Sequence, residues 1–211
     1  MWNPDTDEFS FATYLNGEFA QCIGRMPDGS EEIFKRPLLC CIDSEPRSAK
    51  PQGPEIAAVS KRLGAGGGKT DAPKLARAIS AGKAFLPSLH DGKRSPDTWQ
   101  AQQLFCIDVD NDADMKARGY SYLPFTDAVI RAWSFDLPLL ITYESFSSTE
   151  ERERYRLLFA LEEPTMDKAE AQSFADGLLA AFPEADQSSN QLNRLFFGTN
   201  KEVQLWNIPL Q

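Results

Sequence analysis

Residues 104–112 read Leu-Phe-Cys-Ile-Asp-Val-Asp-Asn-Asp, an apolar run that passes directly into a cluster of acids. The stretch Leu104–Val109 predicts a short strand of a central sheet. Successive side chains of a strand point to opposite faces, so Asp108 and Asp110 leave the strand on the same face. Two carboxylates this close repel each other unless a cation or a proton lies between them. The stretch therefore predicts either a divalent metal site or a strand end with solvated acids.

The segments that follow complete a strand-helix-strand-strand-helix-strand order. After Leu104–Val109, the predicted elements are a helix at Pro124–Trp133, strands at Pro138–Tyr143 and Arg154–Leu161, a helix at Asp167–Phe182, a strand at Gln191–Phe197, and Val203–Ile208 as a further candidate strand. This is the order of a split β-α-β core, an antiparallel sheet with both helices on one face. Its first and third strands lie side by side in the middle. The sequence thus predicts an α+β fold.

The first 100 residues are predicted to form a smaller N-terminal α/β subdomain, and residues 101–211 to form the core. The predicted features of the subdomain are a turn at Asp28-Gly29, a linker at residues 45–53, helices at Ile56–Leu63 and Ala72–Ala81, and a polar loop at residues 86–100. Asp71 is the expected N-cap of the second helix, and Gly82 lies just beyond its end.

A glycine-rich run at residues 64–70 reads Gly-Ala-Gly-Gly-Gly-Lys-Thr and has the composition of a phosphate-binding loop. That motif requires four residues between its first glycine and the Gly-Lys pair, which places the first glycine at Leu63. The segment before the run also has helical spacing, whereas the motif follows a strand. The run is therefore interpreted as a flexible linker between two helices.

Histidine and cysteine usage restricts the kinds of metal site. The chain has 211 residues with one histidine, His90, which excludes metal sites built on a histidine pair. Its 4 cysteines form no Cys-x-x-Cys pair, so a zinc ribbon is excluded as well. Oxygen ligands must then hold any metal, which favours Mg²⁺ or Mn²⁺.

Charge and hydropathy patterns limit the partners. The net charge of −9 divides into −5 for residues 1–44, +5 for residues 45–100 and −9 for residues 101–211. The basic middle segment indicates either phosphate binding at one location or a solvated basic loop. No apolar run reaches the ~18–20 residues that span a bilayer, and the acidic N-terminus is unlike a secretory signal. We therefore expect a cytoplasmic protein with no membrane partner.

Two further groups of side chains are candidates for the acidic face. Arg154 and Arg156 alternate with Tyr155, so both guanidiniums are predicted on one face of their strand, where they could hold a triphosphate. The alternative is a surface strand whose arginines pair with nearby glutamates. Asp186 follows the second core helix and either completes a three-acid site or makes local turn hydrogen bonds.

The order and spacing of these segments resemble the catalytic domain of the archaeo-eukaryotic primase superfamily, in the branch found in phage and mobile-element replication proteins. The segments that carry the resemblance are Ala78–Phe85, Gln102–Asn111, Tyr143–Ser148, Tyr155–Phe159, and Asp186 followed by Asn193–Gly198. The resemblance implies a primase-polymerase core with an RRM-like sheet that carries the catalytic acids. It extends from about Ala72 to Asn207.

The resemblance also implies roles for particular residues in metal-dependent, templated nucleotidyl transfer. Asp108, Asp110 and Asp186 would hold Mg²⁺ or Mn²⁺. The second motif of the family, a serine followed two residues later by a histidine, falls at residues 145–148, where this chain has no histidine. The nucleotide phosphates are then expected to contact Ser147, Ser148, Arg154, Arg156 and Arg194. Lys69 and Lys83, in the basic segment, are expected to contact the template.

The expected partners are a single-stranded DNA template, nucleoside triphosphates and a helicase domain or subunit. A different class of function is also consistent with the sequence. An RRM-type sheet can bind single strands without catalysis, so a non-catalytic replication initiator is the alternative. A metal-dependent phosphohydrolase, which the same acids would support, is a third interpretation.

Overall fold

The computed structural model describes residues 11–23 and 37–206. Five helices have the bounds α1 Pro54–Ala65, α2 Ala72–Ser80, α3 Ala113–Ala117, α4 Phe125–Ser134 and α5 Lys168–Ala181. The strands are β1 Phe11–Leu15, β2 Glu18–Ile23, β3 Pro37–Leu39, β4 Cys41–Ile42, β5 Lys69–Asp71, β6 Phe85–Leu86, β7 Ser88–His90, β8 Trp99–Val109, β9 Leu139–Glu144, β10 Tyr155–Thr165 and β11 Val203–Trp206. The mixture of helices with antiparallel sheets confirms the predicted α+β class.

The central sheet has seven strands in the order β2-β1-β11-β9-β10-β8-β7, and all of its neighbours are antiparallel. Strand β10 lies between β8 and β9, so the first and third strands of the predicted core are neighbours, as predicted. Each connection that contains a helix joins two strands that are not neighbours in the sheet: β10 lies between β8 and β9, and β9 lies between β10 and β11. The register places Arg156 opposite Asp108 and Tyr155 opposite Val109.

The two faces of the sheet carry different helices. On one face, α4 and α5 cover a cluster that includes Phe105, Ile107 and Phe159, as the alternation of β8 and β10 predicts. On the other face, α2 packs through Leu75 and related residues against Leu104, Cys106 and Leu158. Along β8, Asp108 is the next alternate residue after Leu104 and Cys106. The acids therefore emerge on the face that α2 covers, at the end of β8.

The structure contradicts the strand predicted at Gln191–Phe197. Only Phe196 forms an isolated bridge there, with Phe85, and β11 is the strand that joins the sheet. The apolar alternation has another cause: Phe196 packs into the core under α2, and Phe197 packs into a separate cluster with Leu63 and Leu86. The segment therefore crosses the face of the sheet instead of extending it.

The polar loop predicted at residues 86–100 is also wrong in part, because β7 lies there and β8 begins at Trp99. Gln102 and Gln103 obscured the strand pattern. Both are buried, and their amides are satisfied internally. The Gln103 side chain accepts from the Leu39 backbone and donates to the carbonyls of Leu161 and Glu162. Polar side chains in a buried strand defeat a prediction based on hydrophobicity.

The remaining predictions for the first 100 residues have different outcomes. The two helices and the Asp71 cap are confirmed, since the Asp71 carboxylate accepts from the Lys74 backbone at 2.8 Å. The turn at Asp28-Gly29 lies outside the described residues. The division at residue 100 stays a prediction, although β1, β2 and β7 precede it and belong to the same sheet as β8. Within residues 11–23 and 37–206, each helix is too short or too polar to span a membrane.

Candidate metal centre

Three carboxylates from distant parts of the chain meet at the end of β8. Asp108 is near the end of β8, Asp110 lies just beyond it, and Asp186 follows α5. One oxygen from each carboxylate lies within 4.8 Å of the other two. Oxygen donors at this spacing could hold a divalent metal ion, and they are the ligands that Mg²⁺ and Mn²⁺ prefer. The structure therefore brings together the three acids named from the sequence.

Asp186 reaches the cluster because part of β8 has an open edge. Strand β7 pairs only with residues 99–102 of β8, so in the described part of the chain the end of β8 has no strand partner on that side. The loop after α5 takes that place: the Asp186 N–H donates to the Asp108 carbonyl at 2.9 Å, and the Asp108 N–H donates to Ser189 Oγ at 3.2 Å. These two contacts fix the third acid against the first.

Two arginines that we did not predict hold the start of this loop. Arg118 donates to the carbonyls of Pro183, Glu184 and Ala185, at 2.8, 3.2 and 2.9 Å. Arg131 forms a bidentate pair with the Glu184 carboxylate, at 2.7 and 2.9 Å. The last carbonyls of a helix have no partners within the helix, and cationic side chains can bind them. The predicted end of α5 is therefore the one sequence signal that favours cations near residue 183.

Arg156 lies beneath the acids and orients Asp108. Its Nε and Nη2 atoms donate to the two Asp108 oxygens at 3.1 and 3.4 Å, and its Nη1 donates to the Phe197 carbonyl at 2.7 Å. Burial alone would lower the pKa of Arg156, but the Asp108 charge together with Tyr143 and Cys106 outweighs it, so the guanidinium stays charged. Arg156 is only 7% exposed, and its donors are directed at Asp108 and the Phe197 carbonyl. Its predicted contact with a nucleotide therefore stays a prediction.

Arg194 bridges two of the acids. Its Nη2 atom lies 3.0 Å from Asp108 Oδ2 and 2.8 Å from Asp186 Oδ2. Its Nη1 atom donates to Ser188 Oγ, and its guanidinium stacks over the Phe196 ring at 5.4 Å. The Asp108 carboxylate is therefore paired with two arginines in this structure, whereas no cation among the described residues lies as close to the Asp110 carboxylate. Arg152 Nε donates to the Asp110 backbone carbonyl at 3.2 Å.

The loop at residues 145–148, called the serine loop because it contains Ser145, Ser147 and Ser148, lies beside Asp110 and is joined to it by Arg154. The Arg154 Nη1 atom lies 3.6 Å from Asp110 Oδ1 and donates to Ser147 Oγ at 3.3 Å, while its backbone N–H donates to Ser148 Oγ at 3.0 Å. We did not predict Lys201, whose Nζ pairs with the Glu144 carboxylate at 2.7 Å and donates to the Ser148 carbonyl at 2.6 Å. Lys201 stands in no local motif, so nothing in the sequence places it here.

The two lysines expected at the template lie in different places. The Lys83 backbone packs against Gly198, the neighbour of Phe197, where the carbonyl of Lys83 leaves no room for a side chain on Gly198. Lys69 is exposed on β5 and lines a separate groove together with residues 66–68. Their contacts with a template stay a prediction.

Burial and neighbouring charged groups shift the pKa values of Asp110 and Asp186 in opposite directions. Burial, and then the neighbouring Asp108, raises the pKa of Asp110 above its usual range. For Asp186, burial opposes ionisation, but hydrogen bonds from Arg194 and Ser188 outweigh it and lower the pKa. Asp110 is thus a crowded carboxylate whose charge a bound cation would stabilise, and on this ground the three acids fit a divalent metal.

The raised pKa of Asp110 predicts that Asp110→Asn stabilises the metal-free protein. A raised pKa means that the folded state binds the proton more readily than the unfolded state, so ionised Asp110 costs stability at neutral pH. We expect the variant to unfold about 2 °C higher at pH 7, which corresponds to under about 1 kcal/mol. The difference should shrink toward about pH 3, below the pKa of an unperturbed aspartate, where the acid is mostly protonated in both states. Thermal unfolding at both pH values in a chelator measures this, and a less stable variant would contradict the electrostatic assignment.

Comparisons with known proteins give little beyond this geometry. No protein-family model matches the chain, and a search of characterised proteins finds no match. Among solved structures, the chain is similar to the polymerase domain from Mycobacterium tuberculosis Ligase D in complex with DNA, at 10% identity and a TM-score of 0.32. The match covers 90% of this chain and 67% of that one. At this distance the match assigns the chain to no family.

Proposed function

We propose that this protein is a primase-polymerase domain that performs metal-dependent, templated nucleotidyl transfer. The observation that carries the proposal is the meeting of Asp108, Asp110 and Asp186 within 4.8 Å, next to Arg154 and Arg194. Acids hold catalytic metals, and neighbouring arginines bind phosphates, so this combination suits a nucleoside triphosphate. The sequence resemblance to archaeo-eukaryotic primases supports the same reaction class.

Each group in the cluster has a proposed task. The three aspartates would hold Mg²⁺ or Mn²⁺, which activates an attacking hydroxyl and stabilises charge on the reacting phosphates. Arg156 orients Asp108 through its two hydrogen bonds to that carboxylate. Ser188 and Ser189 fix the loop that carries Asp186. These contacts pre-organise the acids before any ligand binds.

The phosphates of the nucleotide would be bound from the serine loop and from Arg194. Ser147, Ser148 and Arg154 lie together beside Asp110, and Lys201, which also pairs with Glu144, donates to the same loop. We propose that Arg154 and Lys201 take over the role of the histidine that the second motif lacks. Lys69 and Lys83 are the proposed template contacts, so template affinity should fall as salt is added.

The resemblance extends the proposal to the biological setting. We propose a cytoplasmic role in replication of a phage or mobile element, together with a helicase domain or subunit. The N-terminal 100 residues would form the template-facing part, and the remaining residues the catalytic core. The positive charge of residues 45–100 supports a template-facing role for the N-terminal part, because template phosphates are negatively charged.

A primer-synthesis assay tests the function directly. The protein is incubated with single-stranded DNA, Mg²⁺ or Mn²⁺, and either deoxynucleotides or ribonucleotides, one labelled. We expect labelled oligonucleotides that lengthen with time and disappear when a chelator is added. Free phosphate without oligonucleotides would indicate a phosphohydrolase instead, and the absence of both products under all four conditions would refute the enzymatic proposal.

One observation favours a second candidate, a non-catalytic single-stranded DNA-binding initiator. Arg156 and Arg194 already neutralise Asp108, so the acids are accommodated without a metal. Binding of a fluorescent oligonucleotide and of a labelled triphosphate, each with and without Mn²⁺, distinguishes the two. The enzyme binds the triphosphate in a metal-dependent manner, whereas the binding module binds DNA alone and is indifferent to the metal.

A further inference from the structure

Arg194 lies between Asp108 and Asp186, two of the three acids that would hold a divalent ion. Its Nη2 atom contacts Asp108 Oδ2 at 3.0 Å and Asp186 Oδ2 at 2.8 Å, so one nitrogen spans two of the three carboxylates. A guanidinium and a divalent ion bound to the same two carboxylates would repel each other. One cation must therefore leave these carboxylates when the other binds.

Charge balance sets the condition for this exchange. Three carboxylates face three guanidiniums here, from Arg154, Arg156 and Arg194, so the cluster is close to neutral before any ligand arrives. Adding a divalent ion alone would leave excess positive charge in a partly buried site. A ligand that brings its own negative charge removes that cost, and a polyphosphate is such a ligand.

We infer that Arg194 is an exchangeable internal cation, which a divalent ion accompanied by a polyphosphate displaces from Asp108 and Asp186. The freed guanidinium then donates its hydrogen bonds to the phosphates. This inference depends on the proposed function and specifies how its site is loaded: the preferred ligand is a metal-polyphosphate complex, and the free metal ion binds weakly.

The contacts of the two arginines explain why Arg194 moves and Arg156 stays. The Arg156 side chain is 8% exposed and is also held by the Phe197 carbonyl and the Tyr143 hydroxyl, outside the acid cluster. The Arg194 side chain is 19% exposed, and within residues 11–23 and 37–206 its hydrogen bonds go to Asp108, Asp186 and Ser188. Its stacking on Phe196 does not depend on the acids, so that ring can guide the guanidinium as it turns.

The exchange makes a thermodynamic prediction with opposite signs for two ligands. Removing Arg194 should strengthen binding of free metal, because the competing cation is gone. The same change should weaken binding of the metal-polyphosphate complex, because a phosphate ligand is gone. A residue that only stabilises the fold, or only binds phosphate, would not move the two affinities in opposite directions.

Calorimetric titration of the full chain tests this with two probes, free Mn²⁺ and a preformed Mn²⁺ complex of a non-hydrolysable deoxynucleoside triphosphate. For Arg194→Gln we expect free Mn²⁺ to bind about tenfold more tightly than to the wild type, and the complex to bind about tenfold less tightly. Lys74→Gln is the matched control, because it removes one positive charge from an exposed residue paired with Asp71. It should change neither affinity more than about twofold.

The outcomes separate this inference from the proposed function. If the wild type binds the complex but Arg194→Gln shifts both affinities in one direction, or neither, the exchange is refuted and the metal site stands. If neither probe binds the wild type, both proposals fail. Should Arg194→Gln not fold, ¹⁵N-arginine NMR of the wild type with the Mg²⁺ complex decides. The Arg194 Nε–H resonance should shift more than that of Arg156, which keeps its hydrogen bond to Asp108, and an unmoved Arg194 would refute the exchange.

Discussion

Asp110→Asn is expected to lower primer synthesis by about a thousandfold while leaving the protein folded. The substitution keeps the size and shape of the side chain but removes the carboxylate that would ligate the metal. Asp110 is the informative acid because the guanidinium that pairs with its carboxylate, that of Arg154, is 3.6 Å away and only partly buried. Removing the Asp110 charge therefore leaves no buried cation without a partner.

The control for this prediction is Asp112→Asn, two residues further along the same loop. Asp112 is outside the triad and caps α3 by accepting from the Met115 backbone at 3.1 Å, a role that asparagine also performs. We expect its activity to stay within about twofold of the wild type, because it removes a nearby charge and no ligand. Equal activities for the two variants, measured as initial rates of primer formation, would contradict the assignment of Asp110.

Asp108→Asn is expected to lower the free energy of unfolding by about 3 kcal/mol, whether or not a metal is present. Asp108 is the carboxylate partner of Arg156, which is buried and stays charged. An asparagine leaves that guanidinium without a countercharge in a low-dielectric environment. Urea unfolding at neutral pH measures the loss, and its m-value shows whether the transition remains cooperative.

A double-mutant cycle identifies the cause of this loss. Combining Asp108→Asn with Arg156→Met removes both charges, and the Phe197 carbonyl keeps the Tyr143 hydroxyl as its donor at 2.9 Å. We expect the double variant to recover about 2 kcal/mol relative to the sum of the single losses. Additive losses would show that Asp108 stabilises the fold by some route other than its pair with Arg156. The cycle also shows why loss of activity in Asp108 variants is weak evidence for catalysis.

The sequence predicted the elements that local patterns encode. Helices α1, α2, α4 and α5 and strands β8, β9 and β10 all appear close to their predicted positions, because helical and strand periodicities are properties of short segments. The errors have a common source. Buried glutamines obscured the start of β8, and aromatic residues that pack across the sheet imitated a strand at Gln191–Phe197. In both places tertiary contacts, and not local periodicity, decided the backbone.

The same distinction applies to the candidate site. The sequence alone determined that Asp108 and Asp110 share one face and that Arg154 and Arg156 share another, because alternation along a strand is local geometry. Only the tertiary structure decided that these faces coincide, that Asp186 joins them at the open edge of β8, and that Arg194 bridges the acids. Asp108 and Arg194 are 86 residues apart, and their contact depends on how a loop closes over a sheet edge, which no local pattern specifies.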